Sequence, residues 1–161
     1  MERQYTRLDE VRNVVDYIIK KIEDEELKRC AYVHLYGVGL LASVIALKRG
    51  YSRDIAELAE ITGMLHDLLT FVDEKEDTFD HAHKCAEYAR NEVFTKLKSF
   101  NKEELEMIYN GIYNHSDKNI VGNWFDEIIK DADAAHHALR NPKEDFFYNK
   151  PRIQKVLNEI I

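Results

Sequence analysis

Apolar residues recur at intervals of three and four along almost the whole chain, the spacing that places side chains on one face of an α-helix. Only two prolines and six glycines interrupt this pattern. The alternating pattern typical of half-buried strands is not found. The sequence therefore predicts an all-α protein, with residues 1–161 forming a single compact helical domain of six to seven helices.

Capping signals mark where the predicted helices begin and end. Ser52 and Asp80 are candidate N-caps, Asn101 with Glu104 resembles a capping box, and Gly50 suits a left-handed C-terminal cap. The acidic stretch 69–80 is predicted to be a loop. The predicted helices span about 9–21, 26–48, 52–65, 80–97, 101–114 and 123–139, followed by a short helix from Pro151.

Composition and charge narrow the classes of function. Apolar residues make up 45% and charged residues 33% of the chain, a balance typical of a soluble globular protein. The net charge of −7 disfavours a duplex nucleic-acid partner. No apolar run approaches the roughly 20 residues that span a bilayer, and Cys30 and Cys85 fit no metal or redox spacing. We expect a cytoplasmic protein with reduced thiols and no membrane contact.

Four histidines lie at matching depths in two predicted helical hairpins. His34 and His66 are each roughly 20 Å from the turn that joins their helices, at a rise of about 1.5 Å per residue. His81 and His115 repeat the arrangement on either side of the turn "KSFN". Short turns favour antiparallel neighbours, and the loop after residue 68 joins the two open ends. All four histidines are therefore predicted to meet in one place.

The stretch "ITGMLHDLLTF" places Asp67 beside His66 in an otherwise apolar run. A carboxylate in such surroundings is costly unless it is paired or bound to a cation, which favours a metal site. Imidazole and carboxylate ligands without thiolate suit Mn, Fe, Co, Ni, Zn or Mg. Helical phase points His81 toward the apolar stripe of its helix and His83 toward solvent.

A late aspartate is the remaining candidate ligand. In "IIKDADAAHHAL", Asp131 and Asp133 lie symmetrically on either side of the apolar stripe centred on Ala132, so helical phase does not decide between them. His136 and His137 are expected to be partly buried helix residues, with orientation of Asp133 by one of them as the alternative.

The segments "AYVHLYGVGLLA", "GMLHDLL" and "IIKDADAA", taken in this order, resemble the HD-domain superfamily of metal-dependent phosphohydrolases. The resemblance covers about residues 30–137. It implies an HD-domain-like fold in which His34, His66, Asp67 and the late aspartate bind one metal ion. The last motif of the family fits Asp133 better than Asp131.

The segments "DHAHKCAEYAR" and "GIYNHSD" resemble those of family members with a fuller site. By that likeness, His81 and His115 bind a second metal ion or the substrate phosphate, which gives one or two divalent ions per chain. Asp67, His81 and His115 are then the catalytic candidates. Lys118 and Lys84 are candidates for phosphate positioning.

The resemblance implies a phosphomonoesterase or phosphodiesterase that acts on a small phosphorylated substrate, with a nucleotide as the expected class. The residues "LLTFVDEKED" do not match the signatures of cyclic dinucleotide or guanosine polyphosphate subfamilies, so no substrate follows by analogy. Two alternatives stay open: a non-catalytic metal- or nucleotide-binding regulatory module, and a di-iron oxygenase on the same fold. A homodimer formed through Phe146, Phe147 and Tyr148 is a further expectation.

Overall fold

The computed structural model describes residues 4–73, 79–143 and 150–161. Within these ranges the chain is helical and contains no strand, which confirms the all-α class. Seven of the described helices correspond to the six to seven predicted, and the short helix Leu68–Val72 is additional. The helices are α1 (Arg7–Ile19), α2 (Glu25–Lys48), α3 (Arg53–Leu65), the short α4 (Leu68–Val72), α5 (His81–Tyr88), α6 (Lys102–Asn114), α7 (Trp124–Arg140) and α8 (Lys150–Ile160).

Two of the predicted N-caps, Ser52 and Asn101, accept hydrogen bonds from backbone amides in the first turn of their helices. Ser52 Oγ accepts a hydrogen bond from the Ile55 amide at the start of α3. Asn101 and Glu104 form the predicted capping box of α6. A second capping box, formed by Thr6 and Asp9, begins α1 two residues earlier than predicted.

The prediction of a loop over residues 69–80 is wrong in its first part. Residues 68–72 form α4, because Leu68 is almost fully buried and its neighbours pack against the core. Residues 74–78, which include most of the acidic run, lie outside the described residues, as do the aromatics at 146–148. Asp80 begins α5 with a left-handed backbone (φ 65°) and no capping hydrogen bond, since its carboxylate contacts His83 instead. α5 continues into a π-helical turn at Ala89–Val93 and a 3₁₀ turn at Phe94–Lys96.

The crossing of α2 and α3 forms the centre of the fold. The two backbones approach so closely that a Cβ atom added to Gly63 would lie 2.6 Å from Gly39 Cα. Only glycine permits such a contact. His34 lies on α2 and His66 directly follows α3, so this crossing sets the distance between the two histidines.

α2 is also long and apolar enough to cross a membrane by length and composition. Residues 30–47 contain no Asp, Glu, Lys or Arg, so the prediction that no apolar run approaches this length is wrong. The finding is a weak indication of a membrane span, because the core helix of a soluble protein passes the same test. One face of α2 is buried in the core here, where α3 and α7 pack against it.

A buried ionic network attaches α8 to the rest of the fold. Asp131 on α7 is fully buried and receives Arg49 at 2.5 Å and Arg152 at 2.6 Å, one on each carboxylate oxygen. Arg49 also pairs with Glu159, while Arg152 donates to the backbone carbonyl of Lys118. The network thus joins α2, α7, α8 and the loop that carries Lys118.

We predict that Gly63→Ala destabilises the protein by about 1–3 kcal/mol, the usual cost of overpacking a closed contact. It should also weaken divalent-cation binding, because α2 and α3 must separate and carry His34 and His66 with them. Urea denaturation and cation titration check both effects. Gly50→Ala is the control, since it introduces left-handed strain (φ 82°) but no contact within 4 Å and should leave cation binding unchanged. Unaltered stability of Gly63→Ala would contradict the role of the crossing.

Candidate metal centre

The structure brings four side chains from three parts of the chain to one buried point, here called the first cluster: His34, His66, Asp67 and Asp133. The Nε2 atoms of His34 and His66 are 3.2 Å apart. Asp67 Oδ2 lies 3.5 and 3.3 Å from these two nitrogens, and Asp133 Oδ1 lies 3.6 and 3.4 Å from them. Metal–ligand bonds of about 2.0–2.2 Å in tetrahedral geometry place ligand atoms roughly 3.3–3.6 Å apart, so the spacing fits one ion.

A second cluster adjoins the first and consists of Asp67, His81 and His115. Asp67 Oδ1 lies 3.5 Å from His81 Nε2 and 3.2 Å from His115 Nε2. The two imidazole nitrogens are 3.2 Å apart. Asp67 therefore belongs to both clusters, with one carboxylate oxygen in each.

The orientations of the His66 and His115 imidazole rings make their Nε2 atoms suitable metal ligands. Nδ1 of His66 lies 2.7 Å from the carbonyl of Gly63, and Nδ1 of His115 lies 2.7 Å from that of Ile112. These contacts are hydrogen bonds when Nδ1 carries the proton, which leaves the Nε2 lone pair of each neutral ring directed into a cluster. Asp67 Oδ1 and Asp133 Oδ1 are buried and accept no hydrogen bond from the described residues. Converging lone pairs and unsatisfied buried oxygens fit a bound cation.

The electrostatics of the first cluster favour a positive charge. Burial lowers the pKa of His66, but the Asp67 and Asp133 carboxylates outweigh burial and raise this pKa to about 10. Burial raises the pKa of Asp67, yet the neighbouring imidazoles of His66, His115 and His34 hold it well below its usual range. Burial also lowers the pKa values of His34 and His115. A cation replaces the proton in such a site.

Asp133, not Asp131, faces the first cluster. Asp133 Oδ2 accepts from Lys118 Nζ at 2.5 Å, and Asp133 Oδ1 lies 3.2 Å from His137 Nε2. Asp131 is instead held by the arginine network described above. The choice that helical phase left open is therefore made by contacts from other elements.

His136 and His137 both contact the first cluster. They were expected to be partly buried helix residues, and the contact of His137 with Asp133 fits the alternative in which one of them orients that carboxylate. His137 touches Asp133, and His136 Nδ1 lies 3.1 Å from His34 Nδ1. Their positions three and four residues after Asp133, on the same face of α7, are the sequence signal for this arrangement.

The clusters meet solvent mainly at His81, whose side chain is 30% exposed, while those of His34, His66 and His115 are at most 2% exposed. Lys118 stands at the same centre beside Asp133. His83 lies at the surface with its side chain 38% exposed, as its helical phase predicted, and its ring is stacked on Tyr113. The involvement of Lys84 stays a prediction.

The family model described as HD domain matches residues 31–138, about two thirds of the chain, and the chain therefore belongs to the HD-domain family. The resemblance drawn from the sequence is thereby confirmed. Both clusters lie within the matched range. No curated protein and no solved structure matches the chain significantly.

We predict that Asp133→Asn weakens divalent-cation binding by more than the roughly 10- to 100-fold typical of residues that only support a ligand. Asp131→Asn is the matched control on the same helix. It should leave cation affinity unchanged but lower stability by about 3 kcal/mol, since it leaves Arg49 and Arg152 without their shared partner. Cation titration and urea denaturation of both variants check this. Equal loss of affinity in the two variants would contradict the assignment.

We predict that stability measured with a chelator present falls as the pH rises from about 6.5 to about 10. The pKa of His66 is raised from 6.5 to about 10 on folding, so its contribution is complete below 6.5 and is lost across that window. A divalent cation should stabilise increasingly over the same range, because it competes with the proton. Urea denaturation at several pH values checks this, with His66→Gln as the variant that flattens the slope. A wild-type slope in His66→Gln would contradict it.

Proposed function

We propose that this HD-domain protein is a metal-dependent phosphohydrolase that cleaves a small phosphate ester, with a nucleotide as the expected substrate class. The observation that carries the proposal is the carboxylate of Asp67, whose two oxygens face two separate sets of imidazole nitrogens. A carboxylate shared by two adjacent cation sites is suited to phosphate-ester chemistry, in which both the attacking and the leaving oxygen need neutralisation.

The first cluster would hold one ion through His34, His66, Asp67 and Asp133, and the second cluster would hold another. The donor set of imidazoles and carboxylates suits Mn, Fe, Co, Ni, Zn or Mg. When bound, such a cation lowers the pKa of a water molecule and neutralises charge on a phosphate oxygen.

Lys118 supplies the cationic side chain that phosphate positioning requires. Its ammonium group contacts Asp133 at 2.5 Å and its side chain is 14% exposed, so Lys118 stands between the buried clusters and solvent. From there it is placed to donate a charge-assisted hydrogen bond to a phosphate oxygen. The carbonyl of Lys118 is held by Arg152, which fixes the loop from which the ammonium projects.

The remaining roles fall to the residues of the second cluster. His81 is the most exposed member and faces an entering substrate, so it either ligates or donates to the phosphate. His115 is fully buried with Nδ1 facing Ile112, which suits a ligand. Asp67 bridges the two sets or accepts a proton from the attacking water.

A di-iron oxygenase is the second candidate, because a bridging carboxylate surrounded by histidines also suits iron. Lys118 favours the hydrolase, since a cation beside the site serves an anionic substrate. A regulatory module that binds a metal or nucleotide without turnover has the same ligands. The three candidate functions differ in whether the metal-loaded protein hydrolyses a phosphate ester and whether it consumes oxygen.

We predict metal-dependent phosphate release from a panel of nucleotides, sugar phosphates and an aryl phosphate, tested with Mn, Mg, Co, Ni, Fe and Zn in turn. Asp67→Asn should abolish release, because it removes the ligand common to both clusters. Asp54→Asn, which changes an exposed aspartate at the far end of α3, should leave release unchanged. Lys118→Gln should raise KM by about 10- to 100-fold, the value of one charge-assisted hydrogen bond.

Absence of phosphate release with every metal, from protein shown to carry metal, would contradict the hydrolase. Oxygen consumption that depends on iron would then identify the oxygenase. Absence of both activities would favour the regulatory module.

A further inference from the structure

Among the deeply buried histidines of the two clusters, His34 differs in how its second ring nitrogen is held. Nδ1 of His66 and of His115 each face a backbone carbonyl three residues earlier in the chain. Nδ1 of His34 instead lies 3.1 Å from Nδ1 of His136, in a contact that is buried on both sides. The orientation of His34 therefore depends on a side chain from another helix.

The sequence provides space for this contact at one position of α2. A Cβ atom added to Gly37 would lie 2.3 Å from Nε2 and 2.5 Å from Cδ2 of His136, and its three nearest neighbours all belong to that ring. The imidazole of His136 thus lies directly on the backbone of α2, where any larger residue at position 37 would displace it. His136 is 7% exposed, so the ring has little free space to move into.

The protonation pattern across the His34–His136 contact follows from the ligand role of His34. Two facing imidazole nitrogens form a hydrogen bond only when one donates and the other accepts. A cation in the first cluster would use the Nε2 lone pair of His34, so a neutral His34 would carry its proton on Nδ1 and donate it to His136. His136 then keeps its own proton on Nε2.

We propose that His136 is a positioning residue that fixes the ring orientation and tautomer of His34 for metal binding, and that Gly37 is the position that makes room for it. The inference rests on the metal centre of the proposed function and is independent of whether the bound metal supports hydrolysis.

The test is a matched pair of substitutions at position 136. Asn places an acceptor oxygen where the His136 Nδ1 atom lies, whereas Leu has a similar shape without an acceptor. We expect His136→Leu to bind zinc about 10- to 100-fold more weakly than wild type, the usual loss for a residue that orients a ligand histidine. His136→Asn should stay close to wild type. Competition with a chelating dye measures both affinities.

A spectroscopic readout separates positioning from general packing. In the zinc-loaded wild type, the Nδ1 proton of His34 should give a protected imidazole signal in ¹H–¹⁵N spectra. That protection should be retained in His136→Asn and lost in His136→Leu. An unchanged signal in His136→Leu would overturn the inference even if the affinity fell.

Gly37 is tested by a double-mutant cycle. Gly37→Ala alone should weaken zinc binding as His136→Ala does, because the added methyl group displaces the ring. In the His136→Ala background the three atoms that lie nearest to the new methyl group are absent, so the same change should cause no further loss of affinity. Its effect on urea stability should change sign there, since alanine favours a helix more than glycine. Independent, additive losses would overturn the link between the two residues.

The possible failures are distinguishable. Wild-type protein that binds none of the divalent ions would overturn both the proposed function and this inference. Wild-type binding with equal affinity in His136→Leu would overturn the inference alone. Zinc binding that requires His136, without phosphate release from any substrate, would support the inference and contradict the hydrolase.

Discussion

The structure depends on two ionised carboxylates, Asp67 and Asp133, that are buried within a helical core. Burial of an uncompensated carboxylate costs several kcal/mol, and one oxygen of each accepts no hydrogen bond from the described residues. Imidazole nitrogens surround these oxygens, and Lys118 approaches from one side. Without a metal, the charges that compensate these carboxylates are the Lys118 ammonium and the proton of His66, whose pKa the two carboxylates raise to about 10. A divalent cation at the shared point would replace that proton.

The rest of the molecule holds the ligands of that cation at a fixed spacing. The contact of Gly39 with Gly63 sets the separation of the two helices that deliver the histidines of the first cluster. Backbone carbonyls orient two of the buried rings, and His136 orients the third. Farther out, the arginine pair on Asp131 fastens the C-terminal helix to α7 and holds the loop that carries Lys118. The ligands of the metal centre are thus supported by contacts within single helices and between helices, while the ionic network holds the neighbouring loop of Lys118.

The sequence predicted those parts of the fold and site that follow from local rules. Helix lengths measured from Ser52 and Asn101 placed the four histidines at one level, and the structure brings them together. Helical phase did not separate Asp131 from Asp133, because the choice is made by distant arginines, one that directly follows α2 and one on α8. The role of His136 was missed for the same reason, since it requires a glycine on a different helix. The short α4 was read as loop because acidic residues follow it, although its own side chains are apolar and pack on the core.

The most direct test of the shared-carboxylate account is anomalous diffraction from crystals of the protein grown with manganese. Two anomalous peaks, one on each side of the Asp67 carboxylate and each within bonding distance of one of its oxygens, are the predicted result. A single peak that contacts only the first cluster would contradict the bridging role of Asp67. Absence of any peak at this carboxylate, in protein saturated with manganese, would contradict the metal centre itself.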